Sequence, residues 1–396
     1  MRTRWFPLAL LLLSCGGQFT PETLVDSLKV LAITADPPEV APGQSASLGI
    51  VELDPSRPGG VTTVVWVGCE PDPIDFNRSA CNDTSALLQP TAFADFPPGV
   101  RILGFGTKAG YASAPTLFDG VDAGDPVRFN GTSGPALAVV IGEQINPTSS
   151  NAELRDLFTR IEKKQVQSVF ALTRVTVSEK PQKNQNPGLL GLSVDGVALP
   201  TNAKLQVHAG QTVTLEPLVA PDAKETWVLE LPTGNLPQTE TLVTSWYSTA
   251  GRFSVPRVDL DSGTITGFTA PGSPQIADDP VPDKRTGTLW AVLRDGRGGL
   301  SQQSVGFYVC DDSATPTVTA IMPPATMGDG VVVTGTDLAD ALDVVVGEVA
   351  LPHASYSPGR NAFIGDAPAL PSGTYPVTLR SKNCSVTDTG LTYTVP

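Results

Sequence analysis

Few side chains in this 396-residue chain are placed to do chemistry. There are two histidines, His208 and His353, and no His-Glu-x-x-His zinc motif or Gly-x-Ser-x-Gly nucleophile turn. Gly104-x-Gly106 with Gly110 resembles a phosphate loop, but no helical pattern follows, so turn glycines are the better reading. Asp259-Leu-Asp261-Ser-Gly263 matches the first half of an oxygen-ligand loop, which makes Asp259 and Asp261 candidate calcium ligands. The closing Glu is missing, and a solvated turn competes with that reading. Trp227, Trp246, Tyr247 and Trp290 offer rings on which a glycan could stack; burial in a sandwich core is the more common fate of such rings. The 40 acidic residues could hide a glycosidase-type carboxylate pair, yet no spacing singles out two of them. The expectation is a protein that is not an enzyme.

Cysteine chemistry is more informative. Arg2 and Arg4 precede an apolar run at 5–13, the layout of a secretory signal and far short of the roughly 20 residues that span a bilayer. Leu12-Leu13-Ser14-Cys15 at its end resembles the lipobox of bacterial lipoproteins. That resemblance implies cleavage before Cys15, lipidation of Cys15, and attachment to the membrane through several acyl chains. Gly16 follows where Asp would mean inner-membrane retention, so the outer membrane is the expected address. Removing Cys15 from the count of five leaves Cys69, Cys81, Cys310 and Cys384. Four cysteines allow three pairings, and proximity favours Cys69–Cys81 with Cys310–Cys384 in an oxidising compartment. Four buried thiols are the alternative; a zinc site is disfavoured because neither pair has Cys-x-x-Cys spacing.

Composition narrows the partners. Without the signal the chain carries 24 Lys+Arg against 40 Asp+Glu, a net −16. Such a balance excludes a nucleic-acid partner, which needs a basic surface, and excludes electrostatic adhesion to anionic lipid. With 38 Gly and 37 Pro among abundant Val and Thr, the chain reads as many short strands joined by turns.

These strands fall into repeated groups. Residues 27–48 give a strand, a proline break and a second strand; 61–66 is a third, ending on Trp66. That order opens an immunoglobulin-like sandwich. Residues 70–132 read as long loops and short edge strands, and 134–142 as a buried strand. A helix capped by Ser150 and Glu153 follows, with Leu154, Leu157, Phe158 and Ile161 at helical spacing, before a last strand at 168–177. Residues 180–187 are polar and proline-bounded, a linker. Then Val207-His-Ala-Gly-Gln-Thr-Val-Thr-Leu215 repeats Val40-Ala-Pro-Gly-Gln-Ser-Ala-Ser-Leu48, and Trp246 takes the part of Trp66. A closing hairpin, 289–294 with 304–309, turns at Asp295-Gly-Arg-Gly-Gly299, where glycines supply positive φ.

The Trp246-Tyr-x-x-x-Gly251 and Arg294-Asp-Gly-x-Gly-Gly299 stretches resemble bacterial Ig-like and polycystic-kidney-repeat surface modules. Pro316-x-Val-x-x-Ile-x-Pro323, Val331-Val-Val-Thr-Gly-Thr-Asp-Leu338, Val344-Val-Val-Gly347, Gly373-Thr-Tyr-Pro-Val-Thr-Leu379 and Leu391-Thr-Tyr-Thr394 resemble the IPT/TIG domain, a small immunoglobulin-like fold. The whole layout is similar to the multidomain Ig-like lipoproteins of myxobacteria and their relatives.

The expected fold is therefore all-β: three tandem immunoglobulin-like β-sandwiches with one inserted helix, after a lipoprotein signal peptide. Expected boundaries are 1–14 signal peptide, 15–26 tether, 27–183 and 184–312 Ig-like sandwiches, and 313–396 IPT/TIG domain. The expected function is a lipid-anchored recognition or adhesion module for protein or polysaccharide, with a structural spacer or accessory subunit of a periplasm-facing envelope complex as the alternative. No cofactor is expected apart from calcium at Asp259 and Asp261.

Overall fold

A computed structural model describes residues 21–73, 100–146, 151–200, 203–276, 278–324 and 330–395. The signal, Cys15, Cys81 and Ser150 lie outside the described residues. The chain is all-β, and it divides into two compact units. The first comprises 1–187, 222–262 and 292–301; the second comprises 188–221, 263–291 and 302–396.

In the first unit, alternating apolar and polar residues make the strands β1 (Lys29–Asp36), β3 (Ser45–Leu53) and β6 (Lys108–Ala112), hydrogen-bonded in the order β1-β3-β6. The second sheet is β2-β8-β7-β4-β5, built from β2 (Glu39–Val40), β4 (Thr63–Cys69), β5 (Val100–Phe105), β7 (Thr132–Ile141) and β8 (Ser168–Val177). The chain changes sheets between β1 and β2, and β2 then lies parallel to the end of β8. This is the immunoglobulin arrangement, with Trp66 on the interior strand β4, between β7 and β5. Trp66 is fully buried among Leu48, Tyr111, Ala138 and Val175, and its Nε1 donates to Gly106 O at 2.8 Å. Gly106, at a φ of 90°, lies in the connection from β5 to β6 and is a turn glycine as expected, whereas Gly104 lies within β5 opposite Trp66 and Gly110 within β6.

Among the described residues, two α-helices interrupt the strands of the first unit. The helix expected after β7 is α2 (Asn151–Glu162), with Leu157 buried. A shorter one, α1 (Pro126–Asn130), had no expectation: Asp125 caps it through Val127 N at 2.9 Å, and Pro126 starts it without a lost donor. A single turn carries no helical periodicity to read.

The second unit ends in a sandwich of the same kind. One sheet runs Thr317–Met322, Val331–Thr336, Ala362–Gly365, Ser355–Ser357; the other runs Val349–Ala350, Ala341–Val346, Gly373–Ser381, Val386–Val395. Val331, Val333, Val344, Val346, Val377 and Leu379 fill the space between them. A Cys310–Cys384 disulfide, Cα atoms 5.4 Å apart, ties the entry segment to the final hairpin, as the spacing predicts. Cys69 is buried and disulfide-bonded, while its expected partner Cys81 is not among the described residues.

The internal repeat is also a structural one. Gly43 and Gly210 both adopt positive φ, 76° and 71°. Gln44 N donates to Ala41 O and Gln211 N to His208 O, each at 3.0 Å. Val40 O accepts from Ser178 N and Val207 O from Cys310 N, in each case beyond the end of a parallel strand pair.

Candidate functional site: a cleft between two open strand edges

The first unit leaves two strand edges facing one another. β8 pairs with β7 along its whole length, but on its other side β2 meets it at Thr176 and Val177 alone. Thr176 N donates across that side to Pro38 O at 3.0 Å. The two-residue period turns the backbone groups of Arg174, Leu172 and Phe170 the same way, and no strand among the described residues pairs with them there. β1 pairs with β3 on one side, while on the other Leu31 O accepts from Arg294 at 3.4 Å and Ala35 O from Asn186 Nδ2 at 2.9 Å.

Between these edges lies a cleft of about 510 Å³. Val30, Ile33, Ala171, Leu172 and Leu300 give it apolar walls beside a comparable polar surface, and residues 296–300 line it as well. Its titratable lining groups are all arginines: Arg174, Arg294 and Arg297. Their charges are held differently. Arg294 donates to Ser245 Oγ at 3.0 Å and to Leu31 O, both neutral. Arg174 is exposed, and no carboxylate among the described residues lies within 4.0 Å of it.

Arg297 is instead neutralised behind the cleft. Its guanidinium meets Glu240 at 2.8 Å and Glu225 and Glu39 at 3.3 Å, and it lies 4.9 Å over the Trp227 ring. Asp295 shapes the loop that carries it, accepting from Arg297 N at 2.7 Å, Gly299 N at 2.9 Å and Asn184 Nδ2 at 2.8 Å. Burial pushes the Asp295 carboxyl up from its ordinary value, against those three donors, which hold it down. A Cβ at Gly299 would sit 2.1 Å from Asp295 Oδ2, so glycine is required there for space. Beside this cluster Lys180 lies with its ammonium 5.2 Å from the Phe129 ring and 5.0 Å from that of Trp227, and burial lowers its pKa.

The candidates singled out in the sequence lie elsewhere. Asp259 and Asp261 share one turn, but Asp261 takes the Lys224 ammonium on both oxygens, at 2.6 and 2.7 Å, and Asp259 accepts from Asp261 N at 2.9 Å. Among the described residues no three His, Cys, Asp or Glu side chains gather in a metal-binding group. His208 pairs with Asp312 and His353 with Asp366, each at 2.7 Å, on exposed surface. The four rings do not form a platform: Trp246 and Trp290 are buried, Tyr247 packs beside Ala32, Val292 and Leu300, and Trp227 stacks on Lys180 and Arg297. The cleft arginines were missed because Arg294 and Arg297 read as parts of a turn and Arg174 as one polar residue of a strand. A signal was present in Phe170 and Leu172, which extend β8's apolar character to its exposed face.

No family model matches the sequence, and no curated protein matches it. Among solved structures, the three N-terminal domains of the bacteriophage RB49 outer capsid protein Hoc are 11% identical, with 92% of this chain and 95% of that one covered at a TM-score of 0.20. A Bacteroides ovatus SGBP-B of a mixed-linkage glucan utilization locus, in complex with a heptasaccharide, is 12% identical over 93% of this chain and 69% of that one, at a TM-score of 0.16. The tandem Ig repeats of Dlar are 10% identical over 72% and 98%, at a TM-score of 0.19. Likenesses at this level carry no functional argument. Among the described residues no helix is long and apolar enough to cross a membrane.

Proposed function

We propose that this chain is a non-catalytic recognition or adhesion module that grips an anionic part of a protein or polysaccharide in the cleft between β1 and β8. One observation carries the reading: the titratable groups lining the cleft are all arginines, and Arg174 and Arg294 have no acidic partner among the described residues. Arginine does not give up its proton near neutral pH, so these groups can hold an anion but cannot act as a general base. In a chain of net charge −14, an uncompensated pair of cations favours anionic partners and leaves the remaining surface repelling them. The motifs quoted above add that the module is a lipoprotein of the myxobacterial Ig-like type, anchored to the outer membrane through Cys15 and ending in an IPT/TIG domain.

Electrophoresis through gels containing polygalacturonate, poly-L-glutamate or neutral dextran tests the cleft. Retardation by at least one polyanion and not by dextran, relieved in Arg174→Glu, is the expected result. Migration unaffected by either polyanion, or equal retardation of the variant, would overturn it.

The second reading, a rigid spacer facing the periplasm, draws on the fastening around Cys310–Cys384. Asp311 N donates to Lys382 O at 2.7 Å, and Asn383 Nδ2 donates to Ala314 O at 2.6 Å. Protease shaving of intact cells carrying a C-terminal epitope separates the two. Loss of the epitope while a periplasmic control survives is expected for adhesion; protection until the outer membrane is permeabilised is expected for the spacer.

A further inference from the structure

We infer that the occupant of the cleft is an extended peptide that adds to the open edge of β8 as an extra strand, with an acidic side chain or terminal carboxylate against Arg174 and Arg294. This inference rests on the cleft being the binding site and adds what it binds.

The argument begins with the backbone. An unpaired strand edge presents a row of N–H and C=O groups ready to bond with another chain, and proteins ordinarily cover such an edge or shorten it. β8 is ten residues long, and on its open side β2 covers two of them. Residues 168–174 are left, roughly 20 Å of edge, which matches a peptide of six or seven residues. β2 shows that this edge accepts a strand, because Glu39 and Val40 already pair with Thr176 and Val177 in parallel register.

The side chains around the slot suit a strand better than a sugar. The two-residue period of a docked strand would send alternate side chains down onto Val30, Ile33 and Leu300, and apolar residues would be selected there. A polysaccharide offers neither a matching row of amides nor apolar side chains at that spacing. Phe170 and Leu172, 44% and 55% exposed, flank the same edge on its outer face, where a lone edge strand would be expected to carry charge.

Charge commits the end of the peptide. The open edge terminates at Arg174, whose carbonyl lies 3.4 Å from the place a Cβ on Gly298 would take, so the glycine loop stops the slot there. Arg294 lines the same cleft from the β1 side, where it donates to Leu31 O. An incoming strand meets Arg174 as it meets the loop and shares the cleft with Arg294, so an anionic residue is complementary.

A displayed library of random decapeptides, selected on the full chain and counter-selected on Arg174→Glu, provides the probe. The best-enriched peptide is then resynthesised with N-methyl groups on alternate residues. The expected result is an acidic residue near one end and at least tenfold weaker binding of one N-methylated series. Slowed hydrogen exchange at the Leu172 and Arg174 amides in the complex is also expected. No enrichment, N-methyl peptides that bind equally well, or unprotected Leu172 and Arg174 amides would overturn the inference. If polyanion retardation remains sensitive to Arg174→Glu in that event, the anion-binding cleft stands and strand addition alone falls. If both assays are negative, the cleft is not a binding site.

Discussion

Arg297 Nη1 lies 2.8 Å from the carboxylate of Glu240, 57 positions earlier, and Nη2 lies 3.3 Å from that of Glu39, 258 positions earlier. Both carboxylates are almost completely enclosed, with 1% and 2% of their side chains exposed, so the guanidinium is what makes their charges tolerable. Glu39 is further held by Asn184 N at 2.8 Å and by the Ser178 hydroxyl. One cation thus gathers β2, the segment after β8, and the strand hairpin Thr226–Leu229 with Leu236–Thr239, all within the first unit.

Arg297→Ala should therefore destabilise the chain by about 3 to 5 kcal/mol, because it strands buried carboxylates without a counter-charge. Adding Glu240→Gln to that variant should recover part of the loss. Urea unfolding of the single and double variants measures both; a double variant weaker than Arg297→Ala would refute the charge argument.

Stability at this cluster should respond to acid in an unusual direction. Burial raises the Glu240 carboxyl above its ordinary value, against the Glu225 N–H and Arg297, which lower it. A raised folded-state pKa means the folded chain takes the proton more readily. The contribution of Glu240 is fullest below its ordinary value of about 4.3 and is lost as pH rises through the folded one. Wild type should thus gain on Glu240→Gln as pH falls. Glu143 behaves oppositely, since the Arg160 hydrogen bonds lower it, and its contribution is lost as pH falls through the depressed value. Urea midpoints of Glu240→Gln and Glu143→Gln at about pH 7 and about pH 3, on either side of the ordinary carboxyl value, should diverge from wild type in opposite senses.

Trp66→Ala should cost about 3 to 5 kcal/mol, as expected of a fully buried indole packed on all sides. Trp66→Phe should cost less but still measurably, since Gly106 O loses the donor at 2.8 Å. Thermal melts of the two variants give the ranking, and equal melting temperatures would remove the hydrogen bond from the account.

Cys310→Ser with Cys384→Ser opens a loop of 74 residues. Chain entropy alone puts the loss at roughly 4 to 5 kcal/mol. Because reduction also opens the Cys69 disulfide, wild type and the double variant should differ in unfolding midpoint when oxidised and coincide when both are reduced.

Cys15→Ser should release the protein from membranes or leave it as an uncleaved precursor. Carbonate-washed outer membranes still holding the variant would rule out the lipid anchor.

The sequence by itself determined what depends on neighbours along the chain. The alternation in 168–177 makes β8, the Gly-Gln steps at 43–44 and 210–211 make two equivalent turns, and Trp66 lies in an apolar strand, which runs on to Cys69 rather than ending at Trp66. Short-range sterics and the two-residue period act before any distant contact forms, which is why those features could be read. The cleft could not be read this way. Its arginines come from one strand and one hairpin turn more than a hundred residues apart, and which strand edge remains uncovered depends on where β1 leaves for the other sheet. The same holds for Asp261, which matched a calcium loop until folding brought Lys224 to its carboxylate. Charge pairing and edge coverage belong to segments that meet in space, so tertiary structure alone decided them.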